Sequence, residues 1–386
     1  MRLPAHCVTS QLKICFVCHE YPPATHGGIG AFAQVLGRAL VRAGHHVRVI
    51  GMGTAASEEE DEGVCVYRLP TDSGRYGWIR NRWRLFQRIA AWSARGEIDL
   101  IEVPDWEGWA ACWPSLRVPV VVRAHGSISY FASEQGLPVG RRAFWIERAS
   151  LRRADSWCAV SRYAAERTRE LFTLRNPPDR VLYNCVEHMV SREEFPRSRQ
   201  TVVFVGTLAA RKGIAQLIEA WPMVARVCPA AELHIIGKDG RAEGGGSMRA
   251  ALIARLPKEA KVHFHGHLTR AETLRFFQRA RVAVFPSYAE AFALAPLEAM
   301  ACQCPTIYSQ RGSGPELIED GKNGLLIDPA CPEQIAAAII RLLADDELAQ
   351  RLGQEGKRTV VDRFALAIAV EQNEAFYRDV IANFER

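Results

Sequence analysis

The chain has 386 residues, of which 48% are hydrophobic and 24% are charged, and its net charge is +6. The length is sufficient for two domains of ordinary size, and the composition is that of a soluble globular protein. No apolar run reaches the roughly 18 residues that a membrane span requires, and the N-terminal sequence shows no apolar stretch of signal-peptide length.

Strand-like apolar runs alternate with helical patterns along the first half of the chain. The runs that predict strands are LKICFVC, HVRVIG, VCVYRLP, LIEVPD, VPVVVRAHG, SWCAVS and RVLYN. Helices are predicted between several of them, for example over AFAQVLGRALVRAG and RYAAERTRELF. Strands that alternate with helices indicate a parallel sheet covered on both faces.

The same pattern starts again after a polar segment that contains Pro196. A second set of strands is predicted over TVVFVG, ELHIIG, KVHFHG, VAVFPS and PTIYS. The sequence therefore predicts an α/β protein of two domains, residues 1–190 and residues 199–365. The last helix, about 366–386, is expected to pack back on the first domain.

The first loop after a predicted strand is HEYPPATHGGIG. Open parallel sheets bind ligands outside the carboxyl ends of their strands, so a site is expected in such loops. Gly27, Gly28 and Gly30 let the backbone approach a bulky ligand and present N–H groups at a helix start. The spacing is not the GxGxxG dinucleotide fingerprint, and a plain tight turn would explain the same glycines.

An unusual segment, residues 75–95, contains six arginines and no acidic residue, interleaved with aromatic residues. One interpretation is a peripheral contact with anionic lipid or a phosphorylated acceptor. The other is an amphipathic helix whose core face consists of Ile79, Trp83, Phe86 and Ala90. We prefer the second for the apolar face and leave the first open for the arginine face. Nucleic acid is not an expected partner, because no known binding motif accompanies the charge.

Two later loops carry further candidates. His125 lies just past the run VPVVV, where active-site residues of this architecture are found, although a histidine bonded within the core would occupy the same place. Arg211 and Lys212 precede the helix that follows TVVFVG. A lysine just before a helix start opposes the helix dipole, so we expect an anion between them. The spacing does not match a Walker loop.

The segment EAFALAPLE, residues 290–298, places two carboxylates around a phenylalanine and a proline. Pro296 is expected at the first helical position, which puts Glu290 in a loop and Glu298 in the first turn. No Ser, Thr, Asp or Asn is present to cap this helix. An uncapped helix start is a binding place for an anion. A diphosphate held between two domains would satisfy the glycine loop, the basic loop and this helix start together.

The eleven cysteines are scattered and odd in number, so free thiols of a reducing cytosol are expected rather than a disulfide framework. Cys15 and Cys18 form a CxxC pair, and Cys302 and Cys304 form a CxC pair. Because no second cysteine pair stands at zinc-like spacing, we expect no metal site and no cofactor. The expected location is the cytoplasm, peripheral to the inner membrane face if the arginine face binds lipid.

In this order the motifs resemble those of the retaining glycosyltransferases of family 4, which have two facing Rossmann-like domains in the GT-B arrangement. The resemblance covers nearly the whole chain. Its most specific part is the pair of glutamates in EAFALAPLE, which is followed by AMACQCP and GSGPELIEDGKNGLLIDP. Other segments also match the family in order: GGIG, GHHVRVI, AVS, VLYNCVE and VGTLAARKG. It implies metal-independent transfer of a hexose-type sugar from a UDP- or GDP-sugar to a hydroxyl acceptor. The product would be a bacterial polysaccharide, glycolipid or glycosylated metabolite.

The resemblance also implies roles for individual residues. Gly28 and its neighbours would approach the donor diphosphate from the first domain, and Lys212 would bind it from the second. Glu298 would bind the ribose hydroxyls, Glu290 the sugar hydroxyls near the reacting carbon, and His125 would lie near the sugar and acceptor. His125, Lys212 and Glu290 are thus the expected catalytic residues. The backbone cradle for the phosphates would be completed by Phe292, Ala293 and Leu294.

Three positions depart from the family pattern. Many members have an arginine where Thr207 stands, so either Arg211 takes its place or one positive charge is missing. The usual Gly-Phe-Gly is AFA here, and Ala293 must still leave room for the phosphate. The glycine common in ACGxP is Gln303, a change that looks harmless.

Two other functions remain open at this stage. A sugar-nucleotide 2-epimerase shares the architecture but needs no acceptor, so product analysis separates it from a transferase. A non-catalytic nucleotide-sugar sensor would bind the donor without turnover. The nucleotide base is not determined, because recognition near HFHGH could be by backbone.

Overall fold

The computed structural model describes residues 11–24, 27–187, 197–242, 244–257 and 259–384. These residues form two α/β units, each built on its own sheet. The predicted α/β class with two parallel-sheet domains is confirmed. None of the helices in the described ranges is both long enough and apolar enough to cross a membrane.

The N-terminal sheet comes from the first half of the chain. Its strands are β1 (Lys13–Val17), β2 (His46–Gly53), β3 (Ser57–Asp61), β4 (Val64–Pro70), β5 (Leu100–Pro104), β6 (Val120–Ala124), β7 (Ser156–Ala159) and β8 (Arg180–Val181). Its helices are α1 (Gly28–Arg42), α2 (Gly77–Ala94), α3 (Ile128–Glu134), α4 (Arg141–Arg153) and α5 (Arg162–Phe172).

The second sheet follows in the same manner. Its strands are β9 (Thr201–Val205), β10 (Glu232–Ile236), β11 (Val262–Gly266), β12 (Val282–Phe285), β13 (Thr306–Ser309) and β14 (Leu325–Ile327). The helices are α6 (Ile214–Val227), α7 (Met248–Ile253), α8 (Arg270–Arg279), α9 (Leu294–Ala301), α10 (Gly314–Leu317), α11 (Pro332–Ala344), α12 (Asp346–Arg363) and α13 (Leu366–Ala382).

The N-terminal sheet has the order β3-β4-β2-β1-β5-β6-β7-β8. All of its pairings are parallel except that of β3 with β4. Every residue of β5 and β6 is buried, as expected for central strands covered by helices on both faces. The sequence did not predict β3, because this antiparallel edge strand has the polar sequence SEEED and therefore no apolar run.

The C-terminal sheet has the order β11-β10-β9-β12-β13-β14, and all of its pairings are parallel. Helices α6 and α11 pack against each other over one face, with Trp221 fully buried in that core. Helices α8 and α9 lie over the other face, where Phe277 and Leu297 are buried. The loops at the carboxyl ends of these parallel strands are where this architecture places a site.

Helix α13 is tied into the N-terminal sheet by a buried polar network. It packs against α1, and its Asn373 and Tyr377 reach an ion pair between Arg123 of β6 and Glu102 of β5. Arg123 Nε and Nη2 each lie 2.8 Å from a carboxylate oxygen of Glu102. The Tyr377 hydroxyl donates to Glu102 at 2.7 Å. The last helix of the chain thus packs on the first unit.

The core face predicted for α2 is wrong in part. Ile79 and Trp83 are 48% and 50% exposed, whereas Phe86 is buried and Ala90 is partly buried. The cause is Asn81, whose side chain is buried and forms two hydrogen bonds with the backbone of Asp72. Its Oδ1 accepts from the Asp72 N–H at 2.8 Å, and its Nδ2 donates to the Asp72 carbonyl at 3.1 Å. This contact turns the neighbouring stripe toward the core and leaves Ile79 and Trp83 on the surface. The buried apolar side chains of α2 are Leu85, Phe86, Ile89 and Trp92.

Candidate active site

The loop before α9 lies between the two sheets and is held by residues of the N-terminal unit. The Ser161 hydroxyl donates to the carbonyl of Ala291 at 2.7 Å, and the Asn184 amide donates to the carbonyl of Phe292 at 2.8 Å. Phe292 is buried against Tyr183, with ring centroids 5.1 Å apart. Residues of both units therefore fix the backbone that leads into α9.

Helix α9 begins without a side-chain cap, as the sequence predicted. Its N-cap residue, Ala293, has extended backbone and offers no capping group, so N–H groups of the first turn remain for another acceptor. Pro296 is the third helical residue rather than the first, which is tolerated because N–H groups of the first turn have no partner within the helix. Leu294 begins the helix, and Glu298 therefore lies in its second turn.

Arg211 and Lys212 both face Glu290 in the loop before α9. They belong to a 3₁₀ turn, Ala210–Lys212, that precedes α6. Lys212 Nζ pairs with Glu290 Oε1, and Arg211 Nη1 lies 3.3 Å from the same oxygen. Burial alone would raise the pKa of Glu290, but the charges of Lys212 and Arg211 outweigh it and hold that pKa below its ordinary value. In the structure, the anion beside Lys212 is a carboxylate of the protein itself.

Gly213 fixes the position of this basic turn. Its φ is +66°, and a Cβ atom built there would lie 1.8 Å from the carbonyl oxygen of Pro286. Only glycine allows this contact with the loop that follows β12. The side chain of Lys212 is consequently presented from a backbone with little freedom to shift.

Glu298 has a partner that the sequence reasoning missed. Arg270, the first residue of α8, lies 2.8 Å from Glu298 through its Nε and 3.2 Å from Glu187 through its Nη1. Burial raises the pKa of Glu298, and the charge of Arg270 offsets only part of that effect. Arg270 begins α8 just after the loop that follows β11, so the rule that located the other candidates also points to it.

The glycine loop is also occupied by a carboxylate. The carboxylate of Glu20, in the loop that follows β1, accepts hydrogen bonds from the backbone N–H groups of Gly27 and Gly30, each at 3.0 Å. A Cβ atom at Gly28 would meet no atom of the described residues within 4 Å, so contacts with them do not demand a glycine there. Residues 25 and 26 of this loop lie outside the described ranges. The helix start of α1 therefore has N–H groups directed at an anion, which here is Glu20.

His125 lies directly after β6 in the N-terminal unit. Its backbone N–H donates to Asp105 Oδ1 at 2.9 Å, and its ring lies edge-on to Phe32 with centroids 4.9 Å apart. Burial and the charge of Arg123 lower the pKa of His125 well below its usual value, so the ring is neutral at neutral pH. Burial raises the pKa of Asp105 to about 8. A neutral imidazole in this position can exchange hydrogen bonds with hydroxyl groups but carries no positive charge.

The structure brings Arg211, Lys212 and Glu290 together at the start of α9. Thr207, after β9, is exposed, and Arg211 is the second cation at Glu290. The ten cysteines in the described ranges are free thiols, and the two pairs of the sequence, CxxC and CxC, are buried. Cys7 lies outside the described residues.

The protein has a GT-B architecture. Two α/β units meet through their strand-end loops, around the uncapped start of a helix and a pair of cations. Comparison with known proteins agrees with it. The family model for glycosyltransferase family 4 matches residues 26–189, and that for group 1 glycosyl transferases matches residues 187–359. The chain belongs to the family 4-type glycosyltransferases, and the resemblance seen in its sequence is confirmed.

Relatives and solved structures are similar over nearly the full length. An uncharacterized glycosyltransferase of Methanocaldococcus jannaschii is 28% identical over 92% of this chain and 95% of its own. A GDP-mannose-dependent α-(1-6)-phosphatidylinositol monomannoside mannosyltransferase of Mycolicibacterium smegmatis is 29% identical over 90% of this chain and 94% of its own. The structure of sucrose-phosphate synthase from Thermosynechococcus elongatus superposes with a TM-score of 0.81 at 22% identity, covering 97% of this chain and 100% of that one.

Proposed function

We propose that the protein transfers a sugar from a nucleotide-diphosphate sugar to a hydroxyl acceptor, with retention of configuration and without a metal ion. The observation that carries the proposal is the pairing of Lys212 and Arg211 with Glu290 at the uncapped start of α9. Two cations and free helix N–H groups form a site for a diphosphate in which no divalent ion is needed to balance charge. The family comparisons favour transfer over the epimerase alternative.

In this mechanism the carboxylates exchange partners when the donor binds. The diphosphate takes the positions at Lys212, Arg211 and the N–H groups of α9, and Glu290 is released toward the sugar hydroxyls. Glu298 accepts hydrogen bonds from the ribose hydroxyls, and these replace part of its ion pair with Arg270. The diphosphate displaces Glu20 from the N–H groups of α1 in the same way.

The chemical step needs no group beyond these. The bond between the anomeric carbon and the diphosphate oxygen breaks, and the negative charge that grows on that oxygen is stabilised by Lys212 and the helix start. The acceptor oxygen attacks the same face of the sugar, and its proton passes to the departing phosphate. Neutral His125 hydrogen-bonds sugar or acceptor hydroxyls.

The first prediction tests this function directly. Incubation with a panel of UDP- and GDP-sugars should raise the melting temperature with the correct donor, because a ligand of the folded state stabilises it by mass action. With that donor and a hydroxyl acceptor, release of nucleoside diphosphate should continue in the presence of excess chelator. Activity that vanishes in chelator and returns with magnesium or manganese would contradict metal independence. An altered sugar nucleotide formed without any acceptor would instead identify an epimerase.

We further propose that the acceptor is presented at an anionic lipid surface. The support is an aromatic–arginine surface formed by α2 and α4, defined by Trp78, Ile79, Trp83, Trp145, Arg84, Arg88, Arg141 and Arg142. Trp83 and Trp145 are 50% and 56% exposed. The guanidinium carbon of Arg142 lies 4.2 Å from the centre of the Trp78 ring, so the two helices adjoin at this surface. Exposed aromatics among arginines are suited to the interface of an anionic membrane.

The second prediction concerns this aromatic–arginine surface. The wild-type protein should sediment with vesicles that contain anionic lipid, and Arg84→Gln with Arg88→Gln should weaken that binding about tenfold or more, most clearly at low salt. Trp83→Ser with Trp145→Ser should weaken it as well. Arg80 is left unchanged because it pairs with Asp72.

The matched control is Ile253→Ser, which replaces another exposed apolar residue on the C-terminal unit. This variant should bind vesicles like the wild type. If the wild-type chain does not distinguish anionic from neutral vesicles, or if Ile253→Ser loses as much binding, the lipid proposal is wrong while the transferase proposal is unaffected.

A further inference from the structure

Three histidines and a glutamate lie together on the two adjacent strands at one edge of the C-terminal sheet. Glu232 and His234 belong to β10, and His263 and His265 belong to the edge strand β11. His234 and His263 are register partners in the parallel pairing. Because side chains two residues apart on a strand share a face, all four side chains lie on the same face of the sheet.

Three of these side chains have their ligand atoms directed at a common point. Glu232 Oε2 lies 3.7 Å from His234 Nε2 and 4.0 Å from His263 Nε2. One ligand atom from each of the three residues lies within 4.8 Å of the other two. Bonds of about 2.0–2.2 Å to a tetrahedral zinc ion place ligand atoms about 3.3–3.6 Å apart. Small side-chain rotations are therefore sufficient to close the triangle around an ion.

The fourth side chain supports this arrangement from behind. His234 Nδ1 and His265 Nε2 are 2.9 Å apart, and the planes of the two rings are nearly parallel, with an interplanar angle of 6°. When His234 donates its Nδ1–H to His265, its Nε2 is left as an unprotonated nitrogen facing Glu232. A metal-ligating histidine is oriented in this way by a hydrogen bond from its other ring nitrogen.

Packing holds the central ring in place. Phe276 of α8 lies against His234 and His265, with ring centroids 5.5 Å and 4.8 Å apart. The side chain of His234 is only 18% exposed, whereas that of His263 is 48% exposed and reachable from solvent.

We propose that Glu232, His234 and His263 bind a zinc ion, with His265 as the hydrogen-bonded support of His234 and water completing the coordination. Two imidazole nitrogens and one carboxylate oxygen are a ligand set that suits zinc. The ion would join the edge strand β11 to β10. Glu232 begins β10, at the opposite end of the strand from the loops that carry the donor site, so this ion takes no part in sugar transfer.

The test is calorimetric titration of the untagged full chain with zinc chloride, after removal of metal by chelator and exchange into chelator-free buffer. The wild type should bind one equivalent. Glu232→Gln and His263→Ala change exposed or half-exposed side chains, and each should weaken binding at least about tenfold. His265→Ala should weaken binding about 10- to 100-fold although it removes no ligand.

The matched control is His267→Ala, which removes an exposed histidine of the same run outside the cluster. It should bind zinc like the wild type. Cobalt(II) serves as a second probe, since binding at this site should produce no thiolate charge-transfer band, whereas binding at cysteines would. Zinc affinity that is unchanged in His263→Ala, or a thiolate band in the cobalt complex, would overturn the proposal. Both measurements are independent of transferase activity.

Discussion

Lys212→Ala is expected to lower kcat about a hundredfold, which corresponds to about 3 kcal/mol of lost transition-state stabilisation. The reason is that Lys212 acts on charge that grows on the diphosphate as the donor bond breaks. Glu298→Gln should instead raise the donor KM with little change in kcat, because the ribose hardly changes during the reaction. The two variants should therefore show different kinetic signatures in steady-state assays with the donor varied.

The structure adds a control for each part of this comparison. Removing Lys212 leaves Glu290 buried with Arg211 as its remaining cation, so melting temperatures must show that the variant is folded. Lys322→Ala, which removes an exposed lysine paired with Glu319, should leave kcat unchanged. Near-normal turnover in folded Lys212→Ala would refute the diphosphate assignment, and Arg211 would then be the residue to test.

The strands that could be predicted are those whose sequences contain an apolar run, and they include the partly exposed β4 and β11. A central strand such as β6 appears as a continuous apolar run, because helices cover it on either side. β3 could not be predicted in this way, since a polar edge strand owes its structure to pairing with β4. The exposed stripe of α2 was misassigned for a related reason. The rotation of α2 about its axis is set by the hydrogen bonds between Asn81 and Asp72. The spacing of apolar residues along the helix does not reveal that contact.

The candidate site was predictable as far as loop chemistry alone could indicate it. Lys212 before a helix and the uncapped start of α9 are local features, and both are present in the structure. The partners were not predictable, because they depend on which loops meet in space. Glu20 reaches the start of α1, and Arg270 reaches Glu298 from another strand end. The catalytic and donor-binding roles of these residues stay predictions.

The largest expected effect on stability lies far from this chemistry, at Arg123. Its side chain is fully buried in β6 and forms two hydrogen bonds with Glu102, whose side chain is only 4% exposed. Arg123→Met keeps much of the side-chain volume but leaves Glu102 as a buried carboxylate without its ion-pair partner, with the Tyr377 hydroxyl still donating to it. Breaking a buried ion pair from one side costs about 3–5 kcal/mol.

We therefore expect chemical denaturation to show a loss of about 3–5 kcal/mol for Arg123→Met. The matched control is Arg180→Gln, because Arg180 also joins the N-terminal sheet to α13, through an exposed pair with Asp379. An exposed pair contributes less than about 1 kcal/mol, so this variant should unfold close to the wild-type midpoint. Equal losses in the two variants would mean that burial does not set the cost. If both losses were below about 1 kcal/mol, the contact between sheet and last helix would stabilise the fold through packing rather than through the Arg123–Glu102 pair.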